Sequence, residues 1–310
     1  MLKKAIAISL SVLCLATQSY AANDGEALVM SAADLKKNDW SVTFFSIASV
    51  ANMKPGKTAP DNVSDRMVNS YDYFSLNYRI DTKSKASMRI PFLFNTAGVN
   101  EYGDQKTSDF ALSDIHFSYS NYDLGYIGDV DVSGVAKLYL PTSKYMQAAK
   151  TIAKIRFEGY FDWQFARFSS LEYVVKPDIY LQTQTAFFNP DGIPQYDDGS
   201  FMRDPRAATK QFGLQHYLQL NLDINKYVGF QTKTGFDESW YHASAAEEID
   251  ASHVTSAVVG VGLEIRPMRG LNFLLLATNE TKLNSYRGND IQWMQPENTE
   301  YAIMTNAFLF

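Results

Sequence analysis

The chain has 310 residues, a formal net charge of −6 and a mean hydropathy of −0.23, values that exclude a bundle of transmembrane helices and argue against a nucleic-acid partner. Aromatic residues make up 14%, with 19 Tyr and 20 Phe, which is generous for a soluble domain and normal for a membrane wall with interfacial girdles. The single cysteine, Cys14, falls in an N-terminal leader, so the mature chain is expected to have no disulfide or thiol chemistry.

Residues 1–21 read as a signal peptide for Sec export. Lys3 and Lys4 form its basic start, Ala5 to Ala16 an apolar core too short to span a bilayer, and Ser19-Tyr20-Ala21 its cleavage site. Leu13 before Cys14 is too large for a lipoprotein signal. Removing the two leader lysines takes the net charge from −6 to −8. Residues 22–38 form a separate N-terminal segment, either periplasmic or plug-like. Glu26 to Leu35 has the pattern of a short helix, and a disordered lead-in is the plainer alternative.

From residue 39 to 310 the pattern is one of strands, expected near 39–51, 70–81, 85–94, 110–121, 127–140, 151–167, 170–187, 209–223, 226–240, 252–266, 270–281 and 300–310. The segment 151–167 is the clearest. Ala153, Ile155, Phe157, Gly159, Phe161, Trp163 and Phe165 alternate with Lys154, Arg156, Glu158, Tyr160, Asp162 and Gln164. A soluble strand has about 5–6 residues, whereas a tilted membrane strand needs roughly 9–11. The alternation also fixes the register, because Lys or Arg facing lipid at mid-bilayer costs roughly 2–4 kcal/mol each. The connections alternate between short and long, as periplasmic turns and outer loops do. These patterns predict an all-β fold: a twelve-stranded antiparallel transmembrane β-barrel in a Gram-negative outer membrane.

The alternation assigns Arg79, Arg89, Asp114, Lys137, Lys154, Arg156, Glu158, Tyr160, Asp162, Lys176, Asp178, Tyr217, Lys233, Asp237 and Glu264 to the lumen. It assigns Phe157, Phe161, Trp163 and Phe165 to the lipid face. The last segment, YAIMTNAFLF, ends on an aromatic, as the C-terminal strands of outer-membrane barrels do. Its phase is read as lipid-facing for Ala302, Met304, Phe308 and Phe310, with Asn306 the exception. Segment 270–281 is ambiguous, because Leu274 to Leu276 is apolar on both faces.

The mixed charges of the lumen admit two readings that can both hold: a salt-bridge network that fills the barrel, or a constriction that screens solutes. Twelve strands lie between the filled eight-stranded barrel and the wide sixteen-stranded porin, so a narrow channel is expected. The lumenal tyrosines suit a flat or sugar-like solute but are also common wall residues. The acidic loop Asn189 to Arg206 and the group Glu247, Glu248 and Asp250 lack the regular spacing of a calcium loop. No metal or cofactor is expected.

His242-Ala243-Ser244 has the His-x-Ser spacing of outer-membrane phospholipases. The Asn-Gly that follows the serine in those enzymes is replaced by Ala245-Ala246, and Val254 to Val261 offers no orienting Asn. A lipid hydrolase is therefore an alternative to a non-enzymatic channel, and a structural or surface-contact barrel is another. Expected partners are outer-membrane lipid and lipopolysaccharide, the barrel-assembly machinery and a small solute.

Leu112-Ser113-Asp114-Ile115, then Gly134, then Lys137-Leu138-Tyr139-Leu140-Pro141-Thr142 resemble a group of barrels named for the MetA pathway of phenol degradation, which are outer-membrane transporters of similar length. Ser113 stands where that family tends to have Gly. The resemblance covers about thirty residues and implies uptake of small, including aromatic, molecules without fixing any substrate residue.

Overall fold

The computed structural model describes residues 39–51, 68–96, 109–188, 206–242, 253–283 and 299–309, with two short strands at Gly98–Val99 and Gln105–Lys106. The expected signal peptide, the segment 22–38, Ser244, Glu247, Glu248, Asp250, Phe310 and most of the acidic loop after Asn189 lie outside the described residues.

Twelve long antiparallel strands form the wall: β1 Trp40–Ala51, β2 Asn69–Arg79, β3 Ser84–Asn95, β4 His116–Ile127, β5 Val130–Tyr139, β6 Thr151–Ala166, β7 Ser169–Gln182, β8 Lys210–Asp223, β9 Val228–Tyr241, β10 His253–Met268, β11 Leu271–Lys282 and β12 Thr299–Phe308. Each pairs with its neighbours in sequence, and β1 pairs with β12, so the sheet closes on itself and has no free edge along the barrel. A short strand, Asp109–Leu112, continues the ladder on β3 ahead of β4. The strands run 10 to 16 residues, which fits a tilted membrane crossing better than a soluble sandwich.

One end of the barrel carries the short turns and the other the long connections. Two turns use the same local device. The Asp81 carboxylate accepts from the backbone N–H groups of Lys83 and Ser84, both at 2.7 Å. The Asn225 side-chain oxygen accepts from Tyr227 and Val228 at 2.8 and 3.0 Å. An Asx side chain that satisfies the turn's own amides fixes the reversal locally. Between β4 and β5 the reversal is at Gly128, whose φ of +63° is easy only for glycine. The expected turn over 122–126 is instead a register shift between Asn121 and Gly125, a bulge that lets β4 run on to Ile127.

Burial is inside out relative to a soluble protein. Phe74, Leu76, Ile90, Phe117, Leu138, Leu218, Val261, Leu263 and Leu275 stand exposed on the outer wall. Arg89, Lys137, Glu158, Lys176, Asp178, Gln219 and Glu264 are buried within. The outside is a continuous apolar surface far larger than a soluble monomer tolerates.

The two faces are not purely apolar and polar. Phe45, Tyr73, Leu274, Leu276, Ala302 and Met304 form a buried cluster on the lumenal side of β1, β2, β11 and β12, with the Phe45 and Tyr73 rings stacked at 4.8 Å. This wall resolves the ambiguity at 274–276: Leu274 and Leu276 point in and Leu275 points out. It also corrects the phase of the last strand. Met304 pairs with Ile47 and Asn306 with Phe45, so Ala302, Met304 and Asn306 are lumenal, while Tyr301 and Ile303 are exposed outside. Phe308 shares the phase of Met304 and therefore lies on the lumenal side of the ladder, against Gly270 of the β10–β11 turn, not on the lipid face. The apolar residues of β12 misled the period-two reading because an apolar lumen wall gives the same signal as a lipid wall.

Candidate functional site

The charged half of the lumen is built by β4 to β9, where alternation brings side chains from adjacent strands into rungs. Lys137 on β5 lies beside Arg156 on β6, which pairs with Asp178 on β7. The Arg156 guanidinium donates to both Asp178 oxygens, at 2.6 and 2.7 Å, in the planar fork geometry that suits a carboxylate. The Lys137 ammonium is 2.7 Å from Glu158. The Tyr160 hydroxyl donates to the other Glu158 oxygen at 2.6 Å. These contacts tie neighbouring strands together along the lumenal wall.

Toward the turn end the wall becomes acidic. Asp131, Asp162 and Glu172 are direct neighbours on β5, β6 and β7. On the adjoining wall, at the turn ends of β8 and β10, Arg266 bridges Asp223 at 2.7 Å and grips Glu264 through two nitrogens. Between this acidic end and the Arg156–Asp178 rung Tyr217 is the hub, with Lys176 at 5.5 Å and Lys233 at 5.9 Å from its ring centre. Tyr217 sits over Gly235, where an added Cβ would stand 2.1 Å from the His216 carbonyl oxygen, so only glycine leaves the ring its place.

Toward the loop end the lumen opens into a cavity of about 200 Å³. Arg89, Lys137, Lys154 and Arg156 give it four cations, and Tyr71, Tyr73 and Tyr139 give it aromatic walls. Arg89 lies 4.8 Å over the Tyr73 ring and Lys154 3.8 Å over the Tyr139 ring. His116 stacks on the other side of Tyr139 at 4.5 Å. Cation–π contacts of this kind fix the position of a charged head without neutralising it.

The Leu-Ser-Asp-Ile and Leu-Pro-Thr segments meet at the rim of this cavity. The Thr142 hydroxyl donates to the Ser113 carbonyl at 2.6 Å and accepts from the Ile115 amide at 2.9 Å. Asp114 accepts from the Ser143 amide at 2.9 Å, just before the short helix α1, Lys144–Ala148, which Ser143 caps. The two segments form a clasp that closes the gap between Leu112 and β4.

Of the fifteen residues assigned to the lumen from the alternation, Arg89, Lys137, Glu158, Asp162, Lys176, Asp178, Tyr217, Lys233 and Glu264 are buried. Lys154, Arg156, Tyr160 and Asp237 share the inward phase of their strands. Asp237 accepts from Gln215 at 2.9 Å. Arg79 is inward at the turn end, paired with Asp39 at 3.0 Å. Asp114 is at the rim, off the strand. Phe157, Trp163 and Phe165 are exposed outside, and Phe161 is half-buried in the same phase. Arg266 and the apolar wall around Phe45 were not anticipated, and His116 was not singled out as a site residue. His116 has only one clue, its place among Asp114, Ser118 and Ser120 on the polar face.

His216 is on the outer wall at the middle of β8, paired with Val175 and Phe236. Glu238 lies between it and His253, with oxygen-to-nitrogen distances of 3.5 and 3.1 Å. Trp240 stacks on His253 at 4.6 Å. Glu238, Trp240 and His253, near the loop ends of β9 and β10, have the character of an interfacial belt.

No protein-family model matches the chain, and no curated protein matches its sequence. Among solved structures, the COG4313 outer membrane channel from Pseudomonas putida F1 is similar over 88% of this chain and 96% of that one, with a TM-score of 0.53 and 8% identity. The NanC porin (TM-score 0.44, 9% identity, 87% and 100% covered) and LpxR from Salmonella typhimurium (0.43, 9%, 87% and 100%) are more distant likenesses. At these identities the likeness is one of fold: this chain has the architecture of the outer-membrane barrels.

Proposed function

We propose that the protein is an outer-membrane channel for passive passage of small solutes through a narrow charged lumen. The observation that carries this reading is the buried, cross-linked ladder of Lys137, Glu158, Arg156 and Asp178 inside a closed wall whose outside is apolar. A barrel that served only as an anchor would gain more from an apolar filling, since buried ion pairs are often no more stable than hydrophobic replacements. Charges retained on the inside at that cost suit a field that selects what passes.

In this reading the chain is exported through the Sec pathway and inserted by the barrel-assembly machinery. Its exposed wall then meets lipid, with lipopolysaccharide around the loop end. It is not an enzyme: the wall supplies a passage, and no bond is made or broken. The architecture shared with the Pseudomonas channel is consistent with this, as is the resemblance to the phenol-degradation transporters. The test is reconstitution in planar bilayers. Discrete conductance steps in potassium chloride are expected, and silence across a range of voltages and salt concentrations would overturn the reading.

A further inference from the structure

We propose that the lumenal face of β3 and β4, running from the loop-end cavity toward the turns, is a binding track for an uncharged, hydroxyl-rich solute of the polyol and monosaccharide class. The inference rests on the channel reading for its role and on the chemistry of this one wall for its solute. Ser118 on β4 lies between Ser87 on β3 and Lys137 on β5. Ser120, one rung nearer the turns, lies between Lys85 and Val135. Both serines have the inward phase of β4 and are buried, at 5% and 1% exposure. Among the described residues their hydroxyls find no hydrogen-bond partner. The serines beside them differ: the Ser75 and Ser87 hydroxyls both donate to the Asn77 side-chain oxygen at 2.8 Å. A buried hydroxyl without a partner is costly, and alanine would fill the same space without that cost. Each hydroxyl can donate one hydrogen bond and accept two, which suits a solute that carries hydroxyls of its own. Cations return toward the turns, where Arg79 pairs with Asp39 and Lys85 lies 5.4 Å from the Tyr122 ring.

The cavity above the track points the same way. The two meet at Arg89 and Lys137, which line the cavity and pair with Ser75 and Ser118. Two of the cavity's tyrosines have both ring faces covered. Tyr73 has Phe45 stacked at 4.8 Å and Arg89 at 4.8 Å. Tyr139 lies between His116 and Lys154. A flat apolar solute would have to displace these contacts before it could stack. A neutral solute with several hydroxyls accepts from the cations and donates to the carbonyls and carboxylates, and it leaves the ion pairs of the charged wall intact. A volume of about 200 Å³ is that of roughly six or seven waters at about 30 Å³ each, enough for a single sugar unit and too small for an oligomer.

The experiment uses the whole mature protein in liposomes and in planar bilayers. Arabinose and triethylene glycol are matched in mass, and the sugar carries more hydroxyls. Liposome swelling is expected to be faster in arabinose than in triethylene glycol once the rates of protein-free liposomes are subtracted. Replacing both serines, Ser118→Ala with Ser120→Ala, should slow arabinose about fivefold, the equivalent of one neutral hydrogen bond, and leave triethylene glycol unchanged. Alanine is smaller than serine, so a merely wider lumen would speed both solutes instead. The double variant should unfold in urea at no lower concentration than the parent; a lower midpoint would mean that the hydroxyls have protein partners, and it overturns the assignment. Equal rates for the two solutes, equal slowing of both in the variant, or block of the potassium chloride current by phenol at lower concentration than by arabinose overturns the track while conductance steps keep the channel reading. If no steps occur and neither solute enters, the channel reading fails and the track with it.

Discussion

Lys137 and Glu158 have side chains with no exposed surface at all, 2.7 Å apart. Such a pair stabilises the fold little in sum, because desolvation offsets attraction, but each partner depends strongly on the other. Glu158→Ala removes the carboxylate 2.7 Å from the buried Lys137 ammonium and is expected to cost about 3–5 kcal/mol. Replacing both, with Lys137→Met and Glu158→Leu, should cost clearly less, since no buried charge is left behind. Guanidinium unfolding in detergent micelles measures both. A double variant as unstable as Glu158→Ala would mean that the ladder is needed for more than mutual compensation. The neighbouring Arg156 moderates the effect through its 3.9 Å approach to Glu158, so its substitution is not independent of this pair.

The turn at Asp81 carries a pH dependence of its own at the scale of one hairpin. Its carboxylate accepts two amide hydrogen bonds, and these, with the Ser84 hydroxyl and the Lys83 charge, hold its pKa below the ordinary 3.8. A carboxyl depressed in the folded state stabilises the fold above its unfolded value and loses that contribution as pH falls through the folded value. Asp81→Asn should therefore weaken the β2–β3 hairpin slightly at pH 7 and make no difference near pH 2. Hydrogen exchange of the Lys83 and Ser84 amides reads this directly, and equal protection at pH 7 would refute it. This turn and the Asn225 turn were visible in the sequence because the cue is local: one Asx between two alternating runs. The β4–β5 turn was not, because Gly125 and Gly128 offer the same punctuation and only cross-strand pairing decides which one bends and which one bulges. The long strand 151–166 was legible for the opposite reason: six charged or polar residues in one phase leave only one energetically tolerable register. The candidate cavity was half legible. Its cations, Tyr73 and His116 have the inward phase that alternation within single strands gives, but their meeting in one cavity and the rim clasp depend on pairing between segments distant in sequence, which no period reports.

For the whole molecule the decisive property is which solvent each side of the wall meets. Val261 and Leu263 lie near the middle of β10, exposed outside, with Gly260 and Gly262, on either side of Val261, turned toward the lumen. If the outside meets hydrocarbon, Val261→Lys is expected to destabilise the barrel in vesicles by about 2–4 kcal/mol, and a lysine near the interface should cost only about 0–1 kcal/mol. Thr232, which pairs with Val261 in the same outward phase, should show a similar penalty, while Met268 at the strand's turn end should be nearly silent. Folding into vesicles, followed by urea titration, gives the depth profile. Trp163 supplies a second readout on an unaltered chain. Its ring is exposed outside, packed at 5.5 Å against Phe165 toward the turn end. Brominated acyl chains should quench it more strongly when the bromine is near the headgroup than at mid-chain. A flat profile for the lysine series would place the apolar wall against protein or water instead of lipid. The lumen would then lose the two-sided environment that makes its buried charges a passage.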